Sequence, residues 1–197
     1  MIERPIIFSG PMVRAICEGR KTQTRRVLKL VTNGAIPHIP PRSPYGCPGD
    51  RLYVRESFCI GYPTDGGYSA IPWTGADPQQ DGKVFYRAAG EEPPDEPQRP
   101  WRPSIHMPRW ASRITLEVTS VRLQRLQDIT PDDAIAEGVT FPRCGCEVCA
   151  TTSRLCTADQ SIAIETFRDL WESINAKRGY GWMVNPFVWV IEFARLA

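Results

Sequence analysis

Histidine is scarce in this chain: two among 197 residues, His38 and His106. With so few, no Ser-His-Asp set can be assembled from the motifs present. Glycine-rich phosphate loops and dinucleotide fingerprints are also missing. No stretch approaches the ~20 apolar residues of a membrane span, so no membrane partner is expected. The opening "MIERPIIFSG" has an acid early and too short an apolar run for an export signal. Seven cysteines without such a signal are expected to sit in a reducing cytoplasm, as thiols or metal ligands. Net charge is only +2, too little for a bulk field that gathers nucleic acid.

Charge is present locally. Residues 1–30 carry seven cations (Arg4, Arg14, Arg20, Lys21, Arg25, Arg26, Lys29) against Glu3 and Glu18, a net of +5, and four acids between Glu91 and Glu96 offset it. Such a patch suits an anionic ligand without making the protein basic. Apolar content of 42% supports a real core, while 19 prolines and 15 glycines indicate long irregular connections.

Several elements are legible. "RPIIFS" reads as a buried strand and "PMVRAICEG" as a helix stopped by Gly19, with Val13, Ile16 and Cys17 at helical spacing and Cys17 as a core filler. "DRLYVRESF" alternates, with Leu52 and Val54 facing one way. From Gly61 to about Trp110 the chain reads as irregular, with one strand, "KVFYRA". "SRITLEVTSVRLQRL" is a long strand whose alternation slips near Thr119–Ser120, which predicts a bulge. "TPDDAIAEG" is a short helix capped by Thr130 and ended by Gly138. "SIAIETFRDLWESINAKRG" is a longer one, with Ile164, Phe167, Leu170, Trp171 and Ile174 on one face. "PFVWVIEFARL" closes as a strand. The expected fold class is α+β: one domain over 1–197, a small, strongly bent mixed sheet or barrel with peripheral helices, and insertions at about 29–48, 61–110 and 140–158.

"CGCEVCATTSRLC" brings Cys144, Cys146, Cys149 and Cys156 into one window. Four thiolates on tight turns make a tetrahedral set for Zn2+, with no open position for water, so the zinc would be structural. The alternative is a loop of reduced or redox-active thiols.

"EGRKTQTRRV" follows the first helix. It reads as a solvated basic turn, as a phosphate-binding edge, or as a place where Lys21 activates a threonine. A threonine hydroxyl needs a neighbouring base, and a lysine serves only when burial or a second cation lowers its pKa.

The blocks "EGRKTQTRR", "PGDRLYVRESF", "ITLEVTSVRLQRLQDITPDDAIAEGV" and "VWVIEFARL" together resemble an ASCH domain of the PUA-like superfamily, over about half the chain. The match is to the longer ASCH proteins of phages and prophages. The resemblance implies a small bent β-barrel, similar to PUA RNA-binding domains, with a helix-lined cleft. One small bacterial branch consists of N4-acetylcytidine amidohydrolases that use a lysine and a threonine in G-x-K-T-x-T and a glutamate on the short helix after the central strand. Those roles fall here on Lys21, Thr24 and Glu137, with Arg26 hydrogen-bonding base or sugar. The resemblance therefore implies hydrolysis of an acylated nucleobase; the alternative is an RNA- or nucleotide-binding module without catalysis. The small amidohydrolases lack the proline-rich insertion and the cysteine cluster.

Six more residues are weighed near the cleft, the first four as substrate contacts. Trp110 would stack on a base with Arg109 facing a phosphate, or else cap the open end of the barrel. Arg55 and Glu56 end a strand near the expected cleft, or else form a cross-strand ion pair. Tyr180 and Trp182 precede the last strand as a substrate lid or a packed turn.

Overall fold

The computed structural model describes residues 1–29, 42–64, 67–70, 82–91, 101–142 and 156–196. Eight strands and three α-helices are found among them. Strand β1 (Glu3–Ile7) leads to helix α1 (Gly10–Cys17), then β2 (Gln23–Val27), β3 (Arg51–Arg55), β4 (Phe58–Thr64), β5 (Gly67–Ala70) and β6 (Lys83–Tyr86). The long β7 (Thr115–Arg125) is followed by α2 (Pro131–Ala136), α3 (Thr157–Asn175) and β8 (Phe187–Arg195).

Five strands form a mixed sheet in the order β1-β3-β7-β8-β2. Only β1 and β3 run parallel; the other pairings are antiparallel. The fold class is α+β, as expected. Among the described residues β1 and β2 are the two edges of the five-stranded sheet. The register of β7 against β8 shifts between Val118 and Ser120, where the alternation of the sequence slips.

Strand β8 is covered on both faces, which is why "FVWVIEF" has no polar face. Trp189, Ile191 and Phe193 point into a core shared with Ile6, Phe8, Val13, Ile16, Leu52, Val54 and Leu116, on the side of α1. Val188 and Val190 point the other way, into a core built by Leu126, Ile129 and Ala134 with Ala163, Phe167 and Trp171 of α3. Each such side chain contributes about 1.5–3 kcal/mol by leaving water. Helix α1 thus covers one face of the sheet, and α2 with α3 the other.

Helix α2 starts as its sequence dictates. The Thr130 side chain accepts from Asp133 N, and Asp133 returns the bond to Thr130 N, a capping box. Helix α3 begins at Thr157, four residues before the expected start, because Cys156 serves as its N-cap with Sγ accepting from Asp159 N. Its first turn overlaps the end of the expected cysteine-rich insertion.

Two other expectations are corrected. The 61–110 segment is not irregular with one strand: β4 and β5 join β6 in a separate three-stranded sheet, order β5-β4-β6. Phe58 and Ile60 of β4 are buried against Met107 and Ala111. Strand β3 ends at Arg55, and from Phe58 the chain pairs in the second sheet. Cys17 is exposed, not a core filler. Ala15 and Ile16 already occupy the inward face of the last turn of α1, and the next residue rotates outward. Among the described residues no helix is long and apolar enough to cross a membrane.

Candidate functional site

The "GRKT" turn is fixed by the ends of two helices. Arg20 N and Lys21 N donate to Ala15 O at the end of α1, and Thr22 N donates to Ala136 O at the end of α2. Both are carbonyls that a helix C-terminus leaves without an intrahelical partner. Lys21 and Glu137 then form an isolated antiparallel bridge. Gly138 leaves α2 at φ +83°, and a Cβ there would come within 2.8 Å of Lys21 Cβ and 3.0 Å of Ala15 Cβ. A glycine is required at this crossing.

Strand β2 lies at the sheet edge, and its side chains alternate between the two faces. Thr24 lies opposite Ile191 and Arg26 opposite Trp189, on the α1 side; Arg25 lies opposite Val190, on the α3 side. The ring contacts agree. The Arg26 guanidinium sits 5.2 Å and Lys21 Nζ 5.6 Å from the Phe8 ring centroid, while Arg25 sits 5.7 Å from that of Phe167.

Glu137 is held at this edge by a cation from each face. Lys21 Nζ donates to Glu137 Oε2 at 2.8 Å, and Arg25 Nη1 donates to Glu137 Oε1 at 3.2 Å. Lys21 Nζ donates also to Glu137 O and to Gln23 O, each at 2.8 Å, so all three ammonium hydrogens are used. Gln23 O belongs to the peptide that joins Gln23 to Thr24, so the ammonium is bonded to the backbone next to the threonine. Lys21 is 2% exposed. Burial depresses its pKa below the ordinary lysine value, with Glu137 opposing and Arg26 and Arg25 adding to the depression.

Behind the pair lies a second layer. Arg25 Nη2 donates to Asp133 Oδ2 at 2.8 Å, and Arg122 Nη2 donates to Asp133 Oδ1 at 2.8 Å. Arg122 also pairs with Glu192 and donates to Gln23 Oε1 at 3.3 Å. Burial raises the Asp133 pKa, but Arg25, Thr130 N–H, Gln23 and Arg122 together outweigh it and hold the carboxyl below its ordinary value.

A cavity of about 690 Å³ opens on this edge. Its walls are Thr24 to Val27 of β2, Met12 of α1, Tyr45, Glu137, and the C-terminal half of α3 through Tyr180. Leu170 and Ile174 line it instead of filling the core, so the apolar stripe read on α3 serves two surfaces. Lys29 and Arg178 stand at its margin. The Nε atoms of Arg25 and Arg26 are buried without a partner, and Arg26 donates from Nη2 to Ile7 O at 2.7 Å.

Thr24, Arg26 and Glu137 therefore line one cavity, with Lys21 bonded behind them. The other four contact candidates do not line it. Glu56 is buried and paired with Arg113 at 2.9 and 3.2 Å, not with Arg55. Arg55 donates to Ile105 O. Arg109 pairs with Glu3 at 2.7 and 2.8 Å and lies over the Tyr53 ring. Trp110 packs against the Phe58 cluster. The reason is the strand order: β3 lies next to the β1 edge, whereas the cavity is at the opposite edge, on β2. Tyr180 reaches the cavity; Trp182 packs in the α3 core with its backbone N–H on Glu172.

Of the zinc candidates, Cys144, Cys146 and Cys149 lie outside the described residues, and Cys156 caps α3. Among the described residues no group of three or more His, Cys, Asp or Glu is placed to hold a metal. Sequence reasoning gave Arg25, Asp133 and Arg122 no part in the site. One signal was available: Asp133 and Glu137 stand four apart on α2 and so share a face.

No family model, curated protein or solved structure matches the chain.

Proposed function

We propose that the protein is a nucleoside-directed amidohydrolase of the ASCH, PUA-like kind, which removes an acyl group from the exocyclic amine of a base such as N4-acetylcytidine. The observation that carries this reading is the buried Lys21–Glu137 pair at a cavity that Thr24 and Glu137 both line, with aromatic and cationic sides. A cavity of about 690 Å³ is of the size that small-molecule sites use.

The chemistry balances within the chain's own groups. Burial disfavours the Lys21 ammonium, and a neutral Nζ is the base that the threonine needs. Thr24 Oγ attacks the acyl carbonyl and its proton goes to Lys21 Nζ. The C–N bond breaks, and the departing base nitrogen takes that proton from Lys21, directly or by way of Glu137, which is bonded to it. Water then cleaves the acyl-threonine ester in the same way: its proton goes to Lys21 Nζ and passes on to Thr24 Oγ. The unpartnered Arg26 Nε–H is the donor for the base or sugar.

The reading is tested by incubating purified protein with N4-acetylcytidine and following cytidine and acetate by chromatography. Release is expected, and it falls at least about 100-fold in Thr24→Ala, Lys21→Met and Glu137→Gln with folding checked by circular dichroism. No release by the wild-type protein overturns the reading. A second reading, binding of RNA or a nucleotide without turnover, is favoured by the cations at the cavity margin.

For the cysteine cluster we propose structural zinc held by Cys144, Cys146, Cys149 and Cys156. Cys156 stands at the N-cap of α3, seven residues after Cys149 in the chain.

A further inference from the structure

We propose that the cavity takes a phosphorylated mononucleotide in preference to an uncharged nucleoside, with Lys29 and Arg178 holding the phosphate. The inference rests on the nucleoside reading above and names the substrate class.

The argument is one of charge. Two carboxylates lie at the site, and both are already matched. Glu137 is clasped by Lys21 and Arg25, and Asp133 by Arg25 and Arg122. No acid remains for the other cations. Arg26, Lys29 and Arg178 all line the cavity, and among the described residues Lys29 and Arg178 have no ion-pair or hydrogen-bond partner. Burial is the main cause that lowers the Arg26 pKa, and the nearby Arg178 adds a smaller like-charge effect. An anion entering between them relieves it, and a neutral nucleoside does not.

The distribution of walls separates the two ends of such a ligand. The apolar side, Leu170, Ile174 and Tyr180, faces a base, and Thr24 with Glu137 faces its exocyclic amide. The free cations lie where β2 runs out and α3 ends, at the margin, which suits a doubly charged group on the sugar. A lysine and an arginine here supply a point charge and a planar fork, the usual pair for phosphate.

The test is calorimetric binding of cytidine 5′-monophosphate and of cytidine to the wild-type protein at low salt. The nucleotide is expected to bind about tenfold tighter or more. In Lys29→Ala/Arg178→Ala its affinity falls to that of cytidine, while Lys177→Ala, which removes a positive charge off the cavity, keeps the preference. Equal affinity of the two ligands, no binding of either, or a preference that survives the double variant overturns the inference. So does a single-stranded RNA oligonucleotide that binds far more tightly than the mononucleotide. Binding needs no turnover, so this inference and the hydrolase reading fail separately. Nucleotide preference without release of acetate removes only the hydrolase. Release from N4-acetylcytidine with kcat/KM equal to that of its 5′-monophosphate removes only this inference.

Discussion

Lys21 and Glu137 stand 116 residues apart in the chain and are joined three ways: by a backbone bridge, by Nζ on Glu137 O, and by Nζ on Glu137 Oε2. The pair ties the turn after α1 to the end of α2, so one contact both closes the fold at the β2 edge and sets the site.

Removing one partner leaves the other buried and uncompensated, which costs about 3–5 kcal/mol for a pair of this kind. Lys21→Met is expected to destabilise by about 3 kcal/mol, the low end, because Arg25 still faces Glu137. Lys21→Met/Glu137→Gln is expected to cost less than the sum of its single variants. A double-mutant cycle by urea unfolding checks this; strict additivity would refute the coupling.

Arg25 reaches Glu137 and Asp133 with two separate nitrogens of one planar group. A lysine has a single ammonium and no fork. Arg25→Lys is therefore expected to lower turnover by an order of magnitude or more with less effect on KM, because its main effect is to loosen Glu137. Steady-state kinetics separate the two parameters, and a loss confined to KM would assign Arg25 to binding instead.

Gly138 and Gly19 offer a matched comparison. Both have positive φ, +83° and +74°, so alanine at either costs about 1 kcal/mol in backbone conformation. Only at Gly138 does the new Cβ meet Lys21 and Ala15. Gly138→Ala is expected to lower the urea midpoint further than Gly19→Ala and also to reduce turnover, with Gly19→Ala leaving turnover intact.

Asp50 ties the N-terminal strand to the loop before β3. Its Oδ1 accepts from Ile2 N at 2.7 Å, and its Oδ2 accepts from Cys47 N and Arg4 Nη1, each at 3.2 Å. The Ile2 and Cys47 N–H groups hold its carboxyl at about 2, against an ordinary 3.8. A depressed carboxyl stabilises above its unfolded pKa and loses that contribution as pH falls through the folded one. The contribution of Asp50 is thus full above about 3.8 and gone below about 2. Asp50→Asn is expected to be less stable than wild type at neutral pH, with the gap narrowing across that window in acid unfolding curves.

If the cysteine cluster holds zinc, the purified protein carries it stoichiometrically, and Cys146→Ser loses it. Metal analysis by plasma mass spectrometry reads this directly, apart from any activity.

The sequence by itself determined the elements whose signals are local. Leu52 and Val54 marked β3 by alternation, Thr130 marked the start of α2 by its cap, and the slip at Thr119–Ser120 marked the bulge in β7. Each depends on residues within a turn or two, where period and capping act. Lys21, Thr24, Arg26 and Glu137 were picked out by resemblance, not by periodicity, and three of them line one cavity with Lys21 bonded behind. Only the tertiary structure decided that β2 is an edge strand facing α1 on one side and α3 on the other. That placement made Arg25 the second clasp of Glu137 and left Arg55, Glu56, Arg109 and Trp110 off the cavity. Strand order is set by burial of both faces of β8, a sum over residues far apart in the chain, and no short window of sequence carries it.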